Sequence, residues 1–273
     1  MVITRLVVST ALSLILSFWL IQPVLSLLRR GGLVRDNYRL QEIPTGSGLV
    51  LPLAVTPSAL LLLTADPSGL LTGLLCAELI LLNGMSLLGF LDDSAGQGTT
   101  RGLLGHLKLL WRGELTTGAV KALYGVCIAF LSASLIPGKD IVGRVISTAV
   151  IALSANAVNL FDLRPGRALK VFFLAYVAIA LLTGGTGMIT LWVAAAALSL
   201  VPVDLAGRAM LGDTGANVLG STLGFLVVSQ AGPGGEIVAL LLLTALHIYA
   251  EVASINSLIE RVSFLHWLDS LGR

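Results

Sequence analysis

The sequence predicts an all-α, polytopic integral membrane protein. Hydrophobic residues make up 56% of the 273 residues and charged residues only 12%, whereas about a quarter of a soluble domain is charged. The mean hydropathy is +0.94. Apolar runs of about 20 residues recur along the whole chain, and this is the length that crosses a bilayer as a helix. An ordinary soluble domain is therefore excluded, and no nucleic-acid partner is expected.

The apolar runs predict about nine transmembrane helices within a single transmembrane domain over 1–273. The first run is too long for a signal-peptide core and lacks a small-residue cleavage site before "LLRR", so we expect it to be retained as a helix. The second run contains Pro52 and Pro57 and is expected to be kinked or short. The nine spans are 3–28, 49–64, 69–91, 117–136, 142–160, 168–183, 187–204, 214–230 and 236–258.

The basic residues predict the orientation of these spans. Connections that follow odd-numbered spans hold 13 of the 17 Lys and Arg residues, and such residues favour the cytoplasmic side of a membrane. We therefore expect the N-terminus outside and the C-terminus cytoplasmic, in the plasma membrane. The cytoplasmic loops, which would carry the active site, then lie near 29–48, 92–116, 161–170, 205–216 and 259–273.

Four aspartates fall on this predicted cytoplasmic face. Asp92 and Asp93 follow the third span, Asp162 follows the fifth, and Asp213 precedes the eighth. Carboxylates crowded at an interface repel one another unless a cation or basic groups neutralise them. Their oxygens suit Mg²⁺ or Mn²⁺ with phosphate completing the shell, and the Gly-flanked "LGDTGANVLG" would let the backbone approach a phosphate closely. The alternative is that these aspartates only cap helices.

Four stretches in the predicted cytoplasmic loops read "RDNYRLQEIPTGSG", "FLDDSAGQGTTRGLLGHLK", "NAVNLFDLRPGRALK" and "MLGDTGANVLGSTLGF". In order, spacing and sidedness they resemble the polyprenyl-phosphate N-acetylhexosamine-1-phosphate transferase family, whose members start cell-wall and surface-glycan assembly. The resemblance implies a Mg²⁺-dependent reaction. In it, a lipid phosphate attacks the β-phosphorus of a UDP-linked amino sugar and gives polyprenyl-pyrophosphoryl-sugar and UMP.

The resemblance also implies a role for each candidate residue, by its position in these loops. Asp213 would be the leading metal ligand, and Asp92 would accept the proton of the lipid phosphate or help to organise the metal. Asp93 and Asp162 would complete the acidic catalytic cluster. The candidate substrate-binding residues are Asn156 and Asn159 for the nucleotide or for orienting Asp162, Lys108 and Arg39 for phosphate, Arg164 and Arg167 beside the nucleotide or sugar, and His266 for the sugar phosphate.

Two features depart from the family pattern. The fifth-span loop normally reads Asn-Leu-x-Asp-Gly-x-Asp-Gly, but here it is "NLFDLRPG", with Leu163 for the first glycine and Pro165 for the second aspartate. The change would alter a nucleotide or sugar contact, or weaken the site. Instead of a histidine-rich last loop and a tenth span, the chain has only "FLHWLDSLGR". The groove left by that span would be open to lipid or to a partner subunit, as in a homodimer.

Three functions are compatible with these features. The first is a sugar-1-phosphate transferase that uses Mg²⁺, a UDP-N-acetylhexosamine and polyprenyl phosphate. The second, motivated by "DLRPG", is a catalytically reduced relative that binds lipid carrier or nucleotide and regulates glycan synthesis. A secondary transporter is the third, and it is disfavoured because the polar residues cluster at one face rather than at the bilayer midplane. For Lys108, Arg39 and His266, the alternative is an ordinary positive-inside or interfacial residue.

Overall fold

The computed structural model describes residues 2–63, 70–95, 111–113 and 116–272, and within them the chain is almost entirely helical. The one sheet of this described part is an antiparallel hairpin of β1 (Val34–Asp36) and β2 (Glu42–Pro44). A short 3₁₀ helix over Ser47–Leu49 follows the hairpin. The α-helices are α1 (Val2–Arg30), α2 (Val50–Leu63), α3 (Leu70–Ala95), α4 (Thr117–Ser134), α5 (Ile141–Phe161), α6 (Arg167–Thr183), α7 (Met188–Ala197), α8 (Val201–Leu205), α9 (Gly212–Gln230), α10 (Gly232–Val252), α11 (Ile255–Arg261) and α12 (Ser263–Ser270).

Five segments of these helices are long and apolar enough to cross a membrane. They are Thr4–Arg30, Thr72–Ala95, Thr117–Ser134, Ile141–Phe161 and Gly232–Val252. Large apolar side chains stand exposed on them, including Ile15 and Trp19 on α1 and Leu241 and Leu242 on α10. Extended exposed apolar faces of this kind are unusual in a soluble monomer. The all-α prediction is therefore confirmed, and the helices are those of a membrane protein.

Several helix boundaries differ from the predicted spans. The seventh span, 187–204, divides into α7 and α8 at a tight turn, where Leu198 N–H bonds to the carbonyl of Ala195 at 3.3 Å. Pro202 starts the second piece, because it has no N–H with which to continue the first. The ninth span, 236–258, breaks at Ala253, which adopts an extended conformation after α10. Helix α2 is described over 14 residues, Val50–Leu63, and it continues through Pro57.

Helix α9 forms the centre of the bundle. Its residues from Thr214 to Leu226 are all buried. A Cβ built on Gly220 would lie 2.2 Å from the carbonyl oxygen of Ser154, and one on Gly224 would lie 2.8 Å from Ile151 Cα. Only glycine at these positions lets α9 and α5 approach so closely. These two glycines therefore pack helix against helix.

Helices α3 and α5 end, and α4, α6 and α9 begin, at one end of the bundle, which we call the site end. The hairpin β1–β2 also lies there, because Met210 N–H donates to the carbonyl of Pro44 at 2.8 Å. In return, Ser47 N–H donates to the carbonyl of Met210 at 3.0 Å. Backbone hydrogen bonds thus join the loop after α1 to the loop before α9, although about 160 residues separate them.

Candidate functional site

The site end contains a cavity of about 190 Å³, which we call the acidic cavity. It lies between the hairpin, the loop 162–166 and the start of α9. Its acidic lining residues are Asp93, Asp162, Asp204 and Asp213, and its basic lining residues are Arg35 and Arg164. The structure therefore brings together aspartates from three distant loops, as the sequence predicts.

Asp93 holds the first turn of α9 in place. Its Oδ1 accepts the N–H of Asp213 at 3.1 Å, and its Oδ2 accepts the N–H of Thr214 at 2.9 Å and the Thr214 hydroxyl at 2.6 Å. A carboxylate at a helix N-terminus satisfies unpaired N–H groups and interacts favourably with the helix dipole. Arg35 in turn donates to the backbone carbonyl of Asp93 at 3.2 Å. Asp93 thus caps the N-terminus of α9, which is the role that the helix-capping alternative gives to these aspartates.

Glycines allow the backbones around Asp93 to meet. A Cβ built on Gly89 would lie 2.3 Å from the carbonyl oxygen of Asp213, and one on Gly48 would lie 2.1 Å from Gly215 Cα. Real Cβ atoms do not approach backbone atoms so closely. Helix α3 and the 3₁₀ helix therefore touch the start of α9 directly, which sets Asp93 against Asp213.

Lys121 lies between Asp92 and Asp213. Its ammonium group forms an ion pair with Asp213 Oδ2 and lies 3.7 Å from Asp92 Oδ2. Burial raises the pKa of Asp213 to about 6, with Lys121 opposing the shift and the neighbouring Asp92 carboxyl adding to it. Lys121 lies within the first turns of α4, and it is a site residue that was not among the candidates predicted from the sequence. The sequence feature that could have identified it is a charged lysine within the first turns of an apolar helix.

Asp204 is a second residue that sequence reasoning missed. It is buried, and its Oδ2 accepts the N–H of Gly166 at 2.7 Å, which fixes the loop 162–166 against α8. The sequence feature that could have identified Asp204 is its position as an aspartate that ends an apolar run on the same predicted face.

Burial raises the pKa of Asp162 well above its usual value, and the like charges of Asp204, Asp213 and Asp93 add to the shift. The neighbouring carboxylates therefore disfavour the charged form of Asp162.

The carboxylates of this site suit a divalent cation. Mg²⁺ in proteins often takes one or two carboxylates and completes its shell with water and substrate phosphate. Asp92 and Asp213, which share Lys121, offer such a pair. Among the described residues, no group of three His, Cys, Asp or Glu side chains is positioned to hold a metal by itself.

Several predicted substrate-binding residues do not line the acidic cavity. Arg39 is exposed, with its guanidinium 4.9 Å from the centroid of the Tyr38 ring. Asn156 is exposed on α5, and His266 is exposed on α12. Asn159 is partly buried and uses its backbone carbonyl to accept the N–H of Asp162 at 3.1 Å. Lys108 lies outside the described residues.

The two arginines of the altered loop have different surroundings. Arg164 is exposed and lines the acidic cavity. Arg167 is buried, and its guanidinium donates to both carboxylate oxygens of Asp269, at 2.7 and 3.0 Å, and to Asn256 Oδ1 at 2.6 Å. Since these three bonds use its Nε, Nη1 and Nη2 atoms, Arg167 is engaged with the C-terminal helices. Arg35, which the sequence marked only as a positive-inside residue, lines the cavity instead.

An apolar groove lies beside the acidic site, between α2 and α3. Its volume is about 480 Å³, and its lining includes Leu49, Leu53, Leu87 and Phe90. Phe90 is two residues before Asp92 on α3. One end of the groove therefore lies near the site end of the bundle.

Comparison with known proteins adds no family to this description. A scan against protein-family models finds no match for the chain, and a search of curated proteins finds none either.

Proposed function

We propose that the protein transfers N-acetylhexosamine-1-phosphate from a UDP-sugar to polyprenyl phosphate. The products are polyprenyl-pyrophosphoryl-sugar and UMP, and the pathway is the assembly of a cell-wall or surface glycan. The observation that carries this proposal is the convergence of Asp92, Asp93, Asp162 and Asp213 at one end of an apolar helical bundle. The resemblance of the four loops to the transferase family supports the same reaction.

The location of the aspartates suits a reaction between a lipid substrate and a water-soluble substrate. A polyprenyl chain remains in hydrocarbon, whereas a nucleotide sugar arrives from water, so the reaction belongs where helices end. The apolar groove next to Phe90 suits the lipid chain, and the acidic cavity suits the charged groups. In this proposal the bundle crosses the plasma membrane about nine times, with the N-terminus outside and the site end facing the cytoplasm.

Five side chains of the site have a task in the proposed reaction. Asp92 accepts the proton of the lipid phosphate or orients that phosphate, whose oxygen forms the new bond to the β-phosphorus as UMP leaves. Arg35 and Arg164 bind the diphosphate by charge-assisted hydrogen bonds. Asp93 positions Asp213 through the first turn of α9. Mg²⁺, or Mn²⁺, held by Asp213 and Asp92, would neutralise phosphate charge that otherwise repels the nucleophile.

A second candidate function is a relative that binds lipid carrier or nucleotide without turnover and regulates glycan synthesis. Two observations favour it. Lys121 already offsets part of the charge that Asp92 and Asp213 would offer a cation, and Pro165 stands in the cavity wall where the family has its second aspartate.

One experiment separates the two functions. Purified full-length protein is offered a panel of UDP-sugars with undecaprenyl phosphate and Mg²⁺, and UMP release is measured. We expect release with at least one UDP-N-acetylhexosamine, and its loss in Asp213→Asn while the variant keeps its melting temperature. If a folded preparation releases no UMP with any sugar, the transferase proposal fails. Retained nucleotide or lipid binding in that preparation would establish the regulatory alternative.

A further inference from the structure

The C-terminal helices α11 and α12 present two chemically different sides. One side is fixed to the start of α6, where Arg167 bonds to Asp269 and Asn256. Lys170 adds bonds from its ammonium group to the carbonyls of Leu268 and Asp269, at 3.1 and 2.7 Å. We call this set of bonds the C-terminal clamp. It connects α6 with helices that begin about 90 residues later in the chain.

The other side of α12 is apolar and exposed. Phe264 and Trp267 are 65% and 55% exposed, and Leu271 is also exposed. Residues at this spacing of three and four share one face of a helix, and the clamped Asp269 points away from that face. The rings of Phe264 and Trp267 lie 6.0 Å apart and form one aromatic surface. Water disfavours such a surface, whereas the headgroup layer of a bilayer favours it.

The position of the clamp places this face at the level of a membrane surface. Arg167 begins α6 only a short loop after Phe161, where the candidate membrane span Ile141–Phe161 ends. The exposed Arg261, the last residue of α11, suits lipid phosphate groups at the same level. The apolar face of α12 thus lies at about the same membrane depth as the end of a candidate span.

We propose that α11 and α12 lie in the bilayer interface as an amphipathic anchor, with Phe264 and Trp267 inserted among the lipids. Through the clamp, this anchor also restrains the loop 162–166 of the acidic cavity. Arg167 directly follows Gly166, whose N–H is held by Asp204. The cavity wall is therefore fixed on one side by α8 and on the other by helices seated in lipid. The proposal depends only on the geometry of the chain and holds whether or not the transferase reaction occurs.

Spin-label accessibility tests the anchor in full-length protein reconstituted into phosphatidylethanolamine and phosphatidylglycerol vesicles. In a background with Cys76→Ser and Cys127→Ser, single cysteines carry the label at Phe264→Cys or Trp267→Cys, and at the exposed control His266→Cys. We expect labels at 264 and 267 to be more accessible to oxygen than to a water-soluble nickel chelate, and the label at 266 to show the reverse. Accessibility of all three to nickel would overturn the proposal. So would protection of 264 and 267 from both reagents, because protein would then cover the face.

A second measurement tests the restraint on the loop. A label at Leu163→Cys, which is exposed in the loop 162–166, reports its mobility. We expect a narrower, more mobile spectrum when Phe264→Ser and Trp267→Ser are combined, and the same change with Asp269→Ala. The two serine substitutions replace exposed side chains, so the fold is expected to persist, and circular dichroism checks this. An unchanged loop spectrum in the folded double variant would disprove the restraint.

Discussion

The carboxylate of Asp93 accepts both the backbone N–H and the hydroxyl of Thr214, at 2.9 and 2.6 Å. These residues are 121 positions apart, and their contact fixes the start of α9 against the end of α3. Asp92, its neighbour in sequence, faces Lys121 instead. Two adjacent aspartates therefore have different partners: Asp93 caps α9, and Asp92 is the one to which the proposed function assigns a chemical task.

The first prediction separates these tasks. Asp93→Ala removes a helix cap and is expected to destabilise the fold by about 1–2 kcal/mol, which lowers the apparent melting temperature and the proposed activity. Asp92→Ala is expected to abolish UMP release while leaving the melting temperature near that of the parent. Melting of both variants in one detergent checks the contrast. If the two alanine variants melt alike, the division of tasks is wrong.

The second prediction concerns the contact between α3 and α9. Gly89→Ala would push Asp213 away from Asp93, because the added methyl group meets backbone rather than a movable side chain. Overpacking of this kind destabilises a protein by about 1–3 kcal/mol. Gly73→Ala makes the same change on the same helix, where nothing lies within 4 Å. Thermal unfolding should show a loss only for Gly89→Ala, and equal melting of the two variants would contradict the packing.

The third prediction distinguishes two arginines of the first loop. Arg35 lines the acidic cavity itself, whereas Arg39 does not and stacks on the lining residue Tyr38. Arg35→Gln is expected to raise the KM for the UDP-sugar about tenfold or more, since a charged hydrogen bond is lost. Arg39→Gln should change it little. A larger effect of Arg39→Gln in steady-state kinetics would show that the phosphate groups bind elsewhere.

The fourth prediction tests the buried bonds of Arg167. Arg167→Ala leaves Asp269 without its partner, and breaking such a pair costs about 3–5 kcal/mol. We also expect Arg167→Lys to melt below the parent, because lysine cannot form the two parallel bonds to the carboxylate. Arg164→Lys, in the exposed part of the same loop, is the matched control and should melt like the parent. A parent-like melting temperature for Arg167→Ala would show that the ion pair contributes little.

The sequence predicts the helical membrane class because the length of an apolar run is a local pattern of the chain. It predicts that the aspartates meet because their loops all emerge on the same predicted side of the bundle. Apolar length identifies a helix, and the side on which each loop emerges follows from the count of spans. The breaks in the seventh and ninth spans were missed because hydropathy does not register a tight turn between two apolar helices. The predicted nine crossings and the orientation of the termini stay predictions.

The partners of individual charges depend on tertiary packing and could not be predicted in the same way. Lys121 and Asp213 are 92 residues apart, and Arg167 and Asp269 are 102 apart. Arg167 resembles a substrate ligand in the sequence because it follows the "DLRPG" loop, yet its guanidinium is directed to the C-terminus. Asp204 was not predicted as a site residue because it is the last residue of an apolar span. Its hydrogen bond to Gly166 exists only once α8 packs against the loop.

The ion pair of Lys121 has a consequence for how the protein folds. One ammonium group built into the chain offsets part of the charge of Asp92 and Asp213, so these two carboxylates repel each other less when no cation is bound. We therefore expect a chelator to lower the melting temperature less than it would if Lys121 were replaced by a neutral residue.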